Sequence, residues 1–206
     1  GAGFVTVGGT FELAGNATFK PQSDPYTGGS VKTVCDTFVL LENAKVDASA
    51  LGFAADRNRK PYSLAPGMGN SYGIGAGHGG HGGNANGTYG SEYGFANSPV
   101  KPGSHSGVYQ TYAPNAGGGL VRIHARDMDI RGGIKADAQA IGGQIVAASG
   151  GGIWLTAAEG LAFGENAVLQ AKGSAGHGGN DGGAGGRIAI GWKLSAAQIE
   201  ALAETG

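Results

Sequence analysis

The chain has 206 residues, 40% of them hydrophobic, so it is long enough to bury a sizeable core despite its 44 glycines. Fourteen Lys and Arg against fifteen Asp and Glu leave a net charge of −1, which gives a nucleic-acid or anionic-membrane partner no electrostatic support. One cysteine excludes an internal disulfide framework, and no apolar run is long enough to span a bilayer.

In chain order, short apolar runs recur as a three-part phrase. The first parts are Phe4–Val7, Val31–Val34, Val121–His124, Ile153–Thr156 and Ile188–Ile190. The second parts are Phe11–Leu13, Phe38–Leu40, Met128–Ile130 and Leu161–Phe163, and the third are Ala17–Phe19, Ala44–Ala48, Ile134–Ala138 and Ala167–Ala171. Each run alternates or is β-branched, which predicts a strand. The first parts recur at 26 (Val5 to Val31), 32 (Val121 to Ile153) and 35 residues (Ile153 to Ile188), and the last alanine of the third part follows the second by a constant eight. Such an internal repeat predicts stacked copies paired in parallel about 4.8 Å apart. The expected fold is therefore all-β: a right-handed single-stranded parallel β-helix of about five coils, three strands to a coil, forming one domain over 1–206.

From Val31 to Val121 is 90 residues, so an insertion over 54–116 enters the second coil. It holds six of the seven tyrosines (Tyr62, Tyr72, Tyr89, Tyr93, Tyr109 and Tyr112) and glycine at every second or third position between Gly67 and Gly94. So long a loop is usually functional. Its glycines predict extended, polyproline-II-like segments packed side by side, with the tyrosines covering them. Two more glycine tracts, 142–152 and 173–186, leave later coils at the equivalent corner and are expected on the same edge. The chain closes on Ser195-Ala-Ala-Gln198, a capping-box signature, and the spacing of Leu194, Ile199 and Leu202 predicts a short capping helix over 195–204. It opens on Gly-Ala-Gly inside a strand phrase, without Met, and is expected to be a piece of something larger.

Three groups of residues carry candidate chemistry. His78 and His81, three apart, and His177 in the last glycine tract are candidate metal ligands; the competing expectation is that each imidazole packs over glycine backbone and hydrogen-bonds its carbonyls. No cofactor is expected otherwise. Lys32, Arg122 and Trp154 fall on the outward face of the first strands beside Thr6. With Tyr72, Tyr89 and Tyr93 of the insertion they form a candidate platform for a sugar ring or acidic polysaccharide, unless the insertion folds over Trp154. Asp47 and Asp137, at equivalent places beside Lys45 and Lys135, form a carboxylate pair or a solvated charge ladder. Cys35 is expected to be a buried small hydrophobe.

The run Gly75–Gly83 (Gly-Ala-Gly-His-Gly-Gly-His-Gly-Gly), Tyr89-Gly-Ser-Glu-Tyr93, Pro102-Gly-Ser-His-Ser-Gly107 and Gly185-Gly-Arg-Ile-Ala-Ile190 resemble the glycine-rich β-helical segments of very large secreted or cell-surface proteins of marine bacteria and unicellular eukaryotes. The fold so implied is similar to that of pectate lyases and autotransporter passengers, and the glycine tracts resemble the polyglycine bundles of some receptor ectodomains and phage adhesins. The resemblance implies an extracellular or cell-surface location and a scaffold or adhesion role; it supplies no catalytic residues. The functional expectation is a non-catalytic extracellular module for surface structure, adhesion or glycan binding. The alternatives are a carbohydrate-active enzyme or carbohydrate-binding module, and a subunit of an extracellular filament that self-associates through coil ends. Polysaccharides or matrix components are the expected partners, with no nucleic acid and no direct membrane insertion.

Overall fold

The computed structural model describes residues 3–54, 65–68, 74–83, 89–107, 115–140, 146–176, 182–195, 197, 198 and 201. Among these residues nine strands follow one another: β1 (Phe4–Leu13), β2 (Thr18–Phe19), β3 (Lys32–Leu40), β4 (Lys45–Asp47), β5 (Leu120–Ile130), β6 (Gly133–Lys135), β7 (Gly152–Phe163), β8 (Val168–Gln170) and β9 (Arg187–Trp192). They form two all-parallel sheets, a five-stranded one in the order β1-β3-β5-β7-β9 and a four-stranded one in the order β2-β4-β6-β8.

This corrects the expected fold. The first and second parts of each phrase are not separate strands at a corner; they run on as one, so a phrase supplies two strands and not three. The strands lie in two sheets, and a three-sided β-helix is not indicated. The reason is local. Between Cys35 and Phe38 stand Asp36 and Thr37, and between Ala125 and Met128 stand Arg126 and Asp127. None is Gly or Pro, so nothing stops the strand. Instead the inward alternation slips by one residue (Thr33, Cys35, then Phe38, Leu40), a kink that re-aims side chains without ending the ladder. Where the spacer is longer, in β1 and β7, the surplus appears as register shifts between Val7 and Thr10 and between Ala125 and Asp127. At the expected capping helix, Ser195 and Gln198 make the reciprocal capping-box bonds, at 2.8 and 3.2 Å, and residues 197, 198 and 201 are helical; the rest of 196–204 lies outside the described residues. Ile188 and Ile190 on β9 stay 42% and 47% exposed.

Pairing nevertheless brings residues of successive phrases together. Thr33 pairs with Ile123, Ile123 with Leu155 and Leu155 with Ile190. The inward side chains of both sheets meet in one core, built of Phe38, Leu40, Val46, Val121, Ile123, Met128, Ile130, Ile134, Ile153 and Leu155 with small residues Ala44, Ala48, Ala136 and Ala157 between them. Two details of the register differ from the sequence spacing. Val5 pairs with Thr33, not Val31, so Phe4 rather than Thr6 stands opposite Lys32. Val46 pairs with Ile134, and Ala48 N–H donates to Lys135 O, so Ala48 lies level with Ala136 and the constant eight does not mark equivalent places.

The glycine tracts form a second kind of structure beside the sheets. Successive N–H groups donate to different segments: Gly117 to Phe53 O, Gly118 to Ser149 O and Gly119 to Ala48 O. Ser149, Gly150 and Gly151 likewise donate to Ser104, Ala184 and Ala136. Bonds that fan out in three directions over three residues are what threefold extended segments offer to neighbours packed all round them. Each neighbour lies at backbone contact. A Cβ on Gly117 would strike the carbonyl of Gly103, and one on Gly151 that of Gly119, so nothing larger than glycine fits there.

Candidate functional site

The outward face of the large sheet carries the ladder Phe4–Lys32–Arg122–Trp154–Ala189, and beside it Val34–His124–Thr156–Gly191. Three of the residues expected to bind a ligand, Lys32, Arg122 and Trp154, are thus consecutive neighbours. Trp154, however, is only 1% exposed, which corrects its place on an open platform. The insertion lies over this part of the sheet. Ala96 and Asn97 share a cleft of about 450 Å³ with Trp154, Ala189 and Leu194, and Pro99 and Lys101 pack at Gly152. The indole is also met edge-on by His124 at 4.9 Å. A Trp roofed in this way contributes packing, not a ring face for a sugar.

Farther along the same roof, Arg187 on β9 holds the insertion by two backbone carbonyls, Nε to Tyr93 O at 3.0 Å and Nη2 to His78 O at 3.1 Å. His78 is fully buried, stacks on Tyr93 at 4.5 Å, and its Nδ1–H donates to Gly150 O at 2.7 Å. Burial holds its pKa down at about 4, because the charged form would lose its water. Tyr93 donates its hydroxyl to Pro102 O at 2.5 Å and accepts from Ser104 Oγ at 3.0 Å. Burial pushes that phenol above its ordinary pKa. Ser104 and Ser149 complete the network. Ser104 Oγ accepts from Gly67 N–H, and Ser149 Oγ accepts from Ser104 N–H. These serines escaped the sequence reading, although each interrupts a glycine run, where a small side chain with one oxygen can satisfy a backbone donor that no neighbouring segment reaches.

His81 is exposed and its ring lies 4.1 Å from that of Tyr89, itself 45% exposed. His177 and Tyr72 lie outside the described residues. Among the described residues no group of three or more His, Cys, Asp or Glu is placed to hold a metal ion. His105 is buried with Nδ1–H donating to Ser106 O at 2.5 Å. Cys35 is buried in the core, its thiol pushed up to about 11 mainly by burial, which keeps it protonated and unreactive.

The carboxylate pair does not assemble as the spacing suggested. Asp47 stands opposite Lys135, not Asp137. Asp137 is instead tied to the next phrase at the end of β8, accepting from Lys172 N–H at 2.7 Å and from Gln170 Nε2. Asp129 and Asp127 are paired with Arg131 and Arg126 on the surface.

In the ladder that contains Trp154, the end open to solvent is the one at β1 and β3. Phe4 is 70% exposed, and Lys32 and Arg122 are half-buried. Arg122 Nη2 donates to Ser30 O at 2.7 Å, and burial lowers the guanidinium's pKa from its ordinary value. His124 sits alongside with its Nδ1 at 2.5 Å from Thr156 Oγ1; burial first, then the charges of Lys32 and Arg122, hold its pKa at about 3. Phe4 is the residue the sequence reading missed, and the two-residue error in the first recurrence is the reason. Comparison with protein-family models, with curated proteins and with solved structures finds no match.

Proposed function

We propose that the chain is a non-catalytic extracellular module whose task is to hold a rigid surface for adhesion or glycan binding. The observation that supports this most is the use of the insertion's polar side chains. His78, Tyr93 and Ser104 of the insertion, with Ser149 of the next glycine tract, bond backbone groups of these segments, His78 through Nδ1 while its Nε2 is buried without a partner, and Arg187 bonds two carbonyls. A site built for turnover keeps its acid and base in reach of substrate; these groups are locked into the scaffold. A stiff, protease-resistant display unit gains from that arrangement, since ordering costs are met on folding and not on binding. A glycan array with a reducing-sugar assay on the bound glycans tests the reading. Saturable binding without product release is the expected result, and release of reducing ends would overturn it.

A second reading, self-association, is favoured by the β9 edge, with which no further strand pairs among the described residues and where Ile188, Ile190 and Trp192 are 42%, 47% and 54% exposed. An uncovered parallel edge beside apolar side chains is a template for another strand. Sedimentation at rising concentration tests it: growth into open-ended assemblies supports it, and a monomer throughout excludes it.

A further inference from the structure

The open end of the outward face holds two cations that no salt bridge among the described residues neutralises. Lys32 and Arg122 are paired directly across β3 and β5, and like charges so placed repel. The surface ion pairs of the described residues involve Arg126 and Arg131, not these two. The nearest acid on the same strand, Asp36, is four residues on, about 13 Å along an extended chain. Asp24, in the hairpin beside them, accepts from Tyr26 and Thr27 N–H.

Hydrogen-bonding capacity is unspent at the same place. Arg122 Nε and the hydroxyls of Ser23 and Ser30 are buried without a partner. Ser23 and Ser30, 2% and 3% exposed, are antiparallel bridge partners, so their side chains leave the hairpin on one face. Counting back by twos from Val34 and Lys32 puts Ser30 on the outward face, next to the guanidinium that bonds its carbonyl. On the other side of Lys32 stands the exposed ring of Phe4.

We propose that Arg122, Lys32, Ser30 and Ser23 form an oxyanion site that takes the carboxylate or sulfate group of an acidic polysaccharide, with Phe4 as the face on which the sugar ring lies. An oxyanion supplies the missing charge and accepts from the guanidinium Nε–H and from both hydroxyls, turning a costly cation pair into charge-assisted bonds. Lone oxyanions need only the polar half of the site, whereas a sugar also uses the apolar ring. The polysaccharide half of the proposal rests on the glycan-binding reading above, and the oxyanion half does not.

The test is thermal unfolding of the full chain and of Arg122→Met, Lys32→Gln, Phe4→Ala and Arg126→Gln. The probes are low concentrations of sulfate or acetate, uronic-acid oligomers, sulfated oligosaccharides, neutral glucose oligomers and polyglutamate. Saturable stabilisation by about 5 °C or more is expected at a hundredfold excess of ligand over its dissociation constant. Arg122→Met and Lys32→Gln should weaken every anionic probe about tenfold or more, and Arg126→Gln none. Phe4→Ala should weaken only the acidic oligosaccharides. If Arg122→Met does not fold, Lys32→Gln, altered at a half-exposed side chain, carries the same reading. Equal shifts in the wild type and in both cation variants would mean a general salt effect and overturn the site. Stabilisation by inorganic anions alone supports the oxyanion site and overturns its polysaccharide ligand, and tighter binding of polyglutamate than of any saccharide replaces that ligand with an acidic peptide.

Discussion

The two halves of this molecule solve the same problem by opposite means. In the sheets, backbone bonds run in one plane and the fold is chosen by what the side chains bury: Phe38, Ile123, Ile134 and Leu155 fill the space between the layers. In the glycine lattice, backbone bonds run in three directions, and the fold is chosen by what is missing. Where Gly117 meets Gly103 or Gly151 meets Gly119, any side chain at all would prevent contact. One region tolerates a different hydrophobe of similar size; the other tolerates no side chain where glycine backbones touch, as at Gly117 and Gly151.

Glycine replacements break this comparison most sharply. Gly151→Ala adds one methyl against backbone that cannot yield, and should cost about 4 kcal/mol or more by chemical denaturation. Gly80→Ala, with nothing within 4 Å of the new methyl, is its control and should change stability by less than about 0.5 kcal/mol. Equal effects at the two sites would mean that the lattice is not packed as described. In the core, Leu155→Ala should cost about 3 kcal/mol, the usual toll of a buried leucine cavity.

Acid probes both regions together, since His78 sits in the lattice and His124 on the sheet. Their folded pKa values, about 4 and about 3, lie below the unfolded value near 6.5. Between these limits the unfolded chain binds protons that the folded one refuses. Stability is therefore fully present above pH 6.5 and falls as the pH drops, by about 1.4 kcal/mol for each histidine at pH 5.5. A denaturation midpoint constant from pH 7.5 to 5 would show that the imidazoles are solvated. One substitution should bring a gain. Thr33 points into the core, 1% exposed, with a hydroxyl that has no partner, so Thr33→Val should stabilise by about 1 kcal/mol.

Strand positions and parallel pairing were legible because alternation and recurrence are side-chain signals: Ile153 and Leu155 could be matched to Val121 and Ile123 by inspection. The number of strands per phrase was not. It depends on whether Asp36-Thr37 bends the chain or ends a strand, and period-two patterns do not separate a kink from a corner. The lattice was legible as composition, in glycine every second or third residue, but its partners were not, because Gly103 and Gly150 carry no side chain to mark which neighbour each will meet. Lys32 and Arg122 could be placed side by side from the sequence; the burial of Trp154 could not, since it depends on where Ala96 and Pro99 settle.

A structure so bonded requires the lattice to be as firmly held as the sheets. Native-state amide hydrogen exchange measures this directly. The amides of Gly117, Gly118 and Gly151, bonded to three different segments, should exchange only through the opening that also frees Ile123 and Leu155, with the same free energy and denaturant dependence. Exchange of the glycine amides orders of magnitude faster, through an opening that leaves the sheets intact, would contradict it.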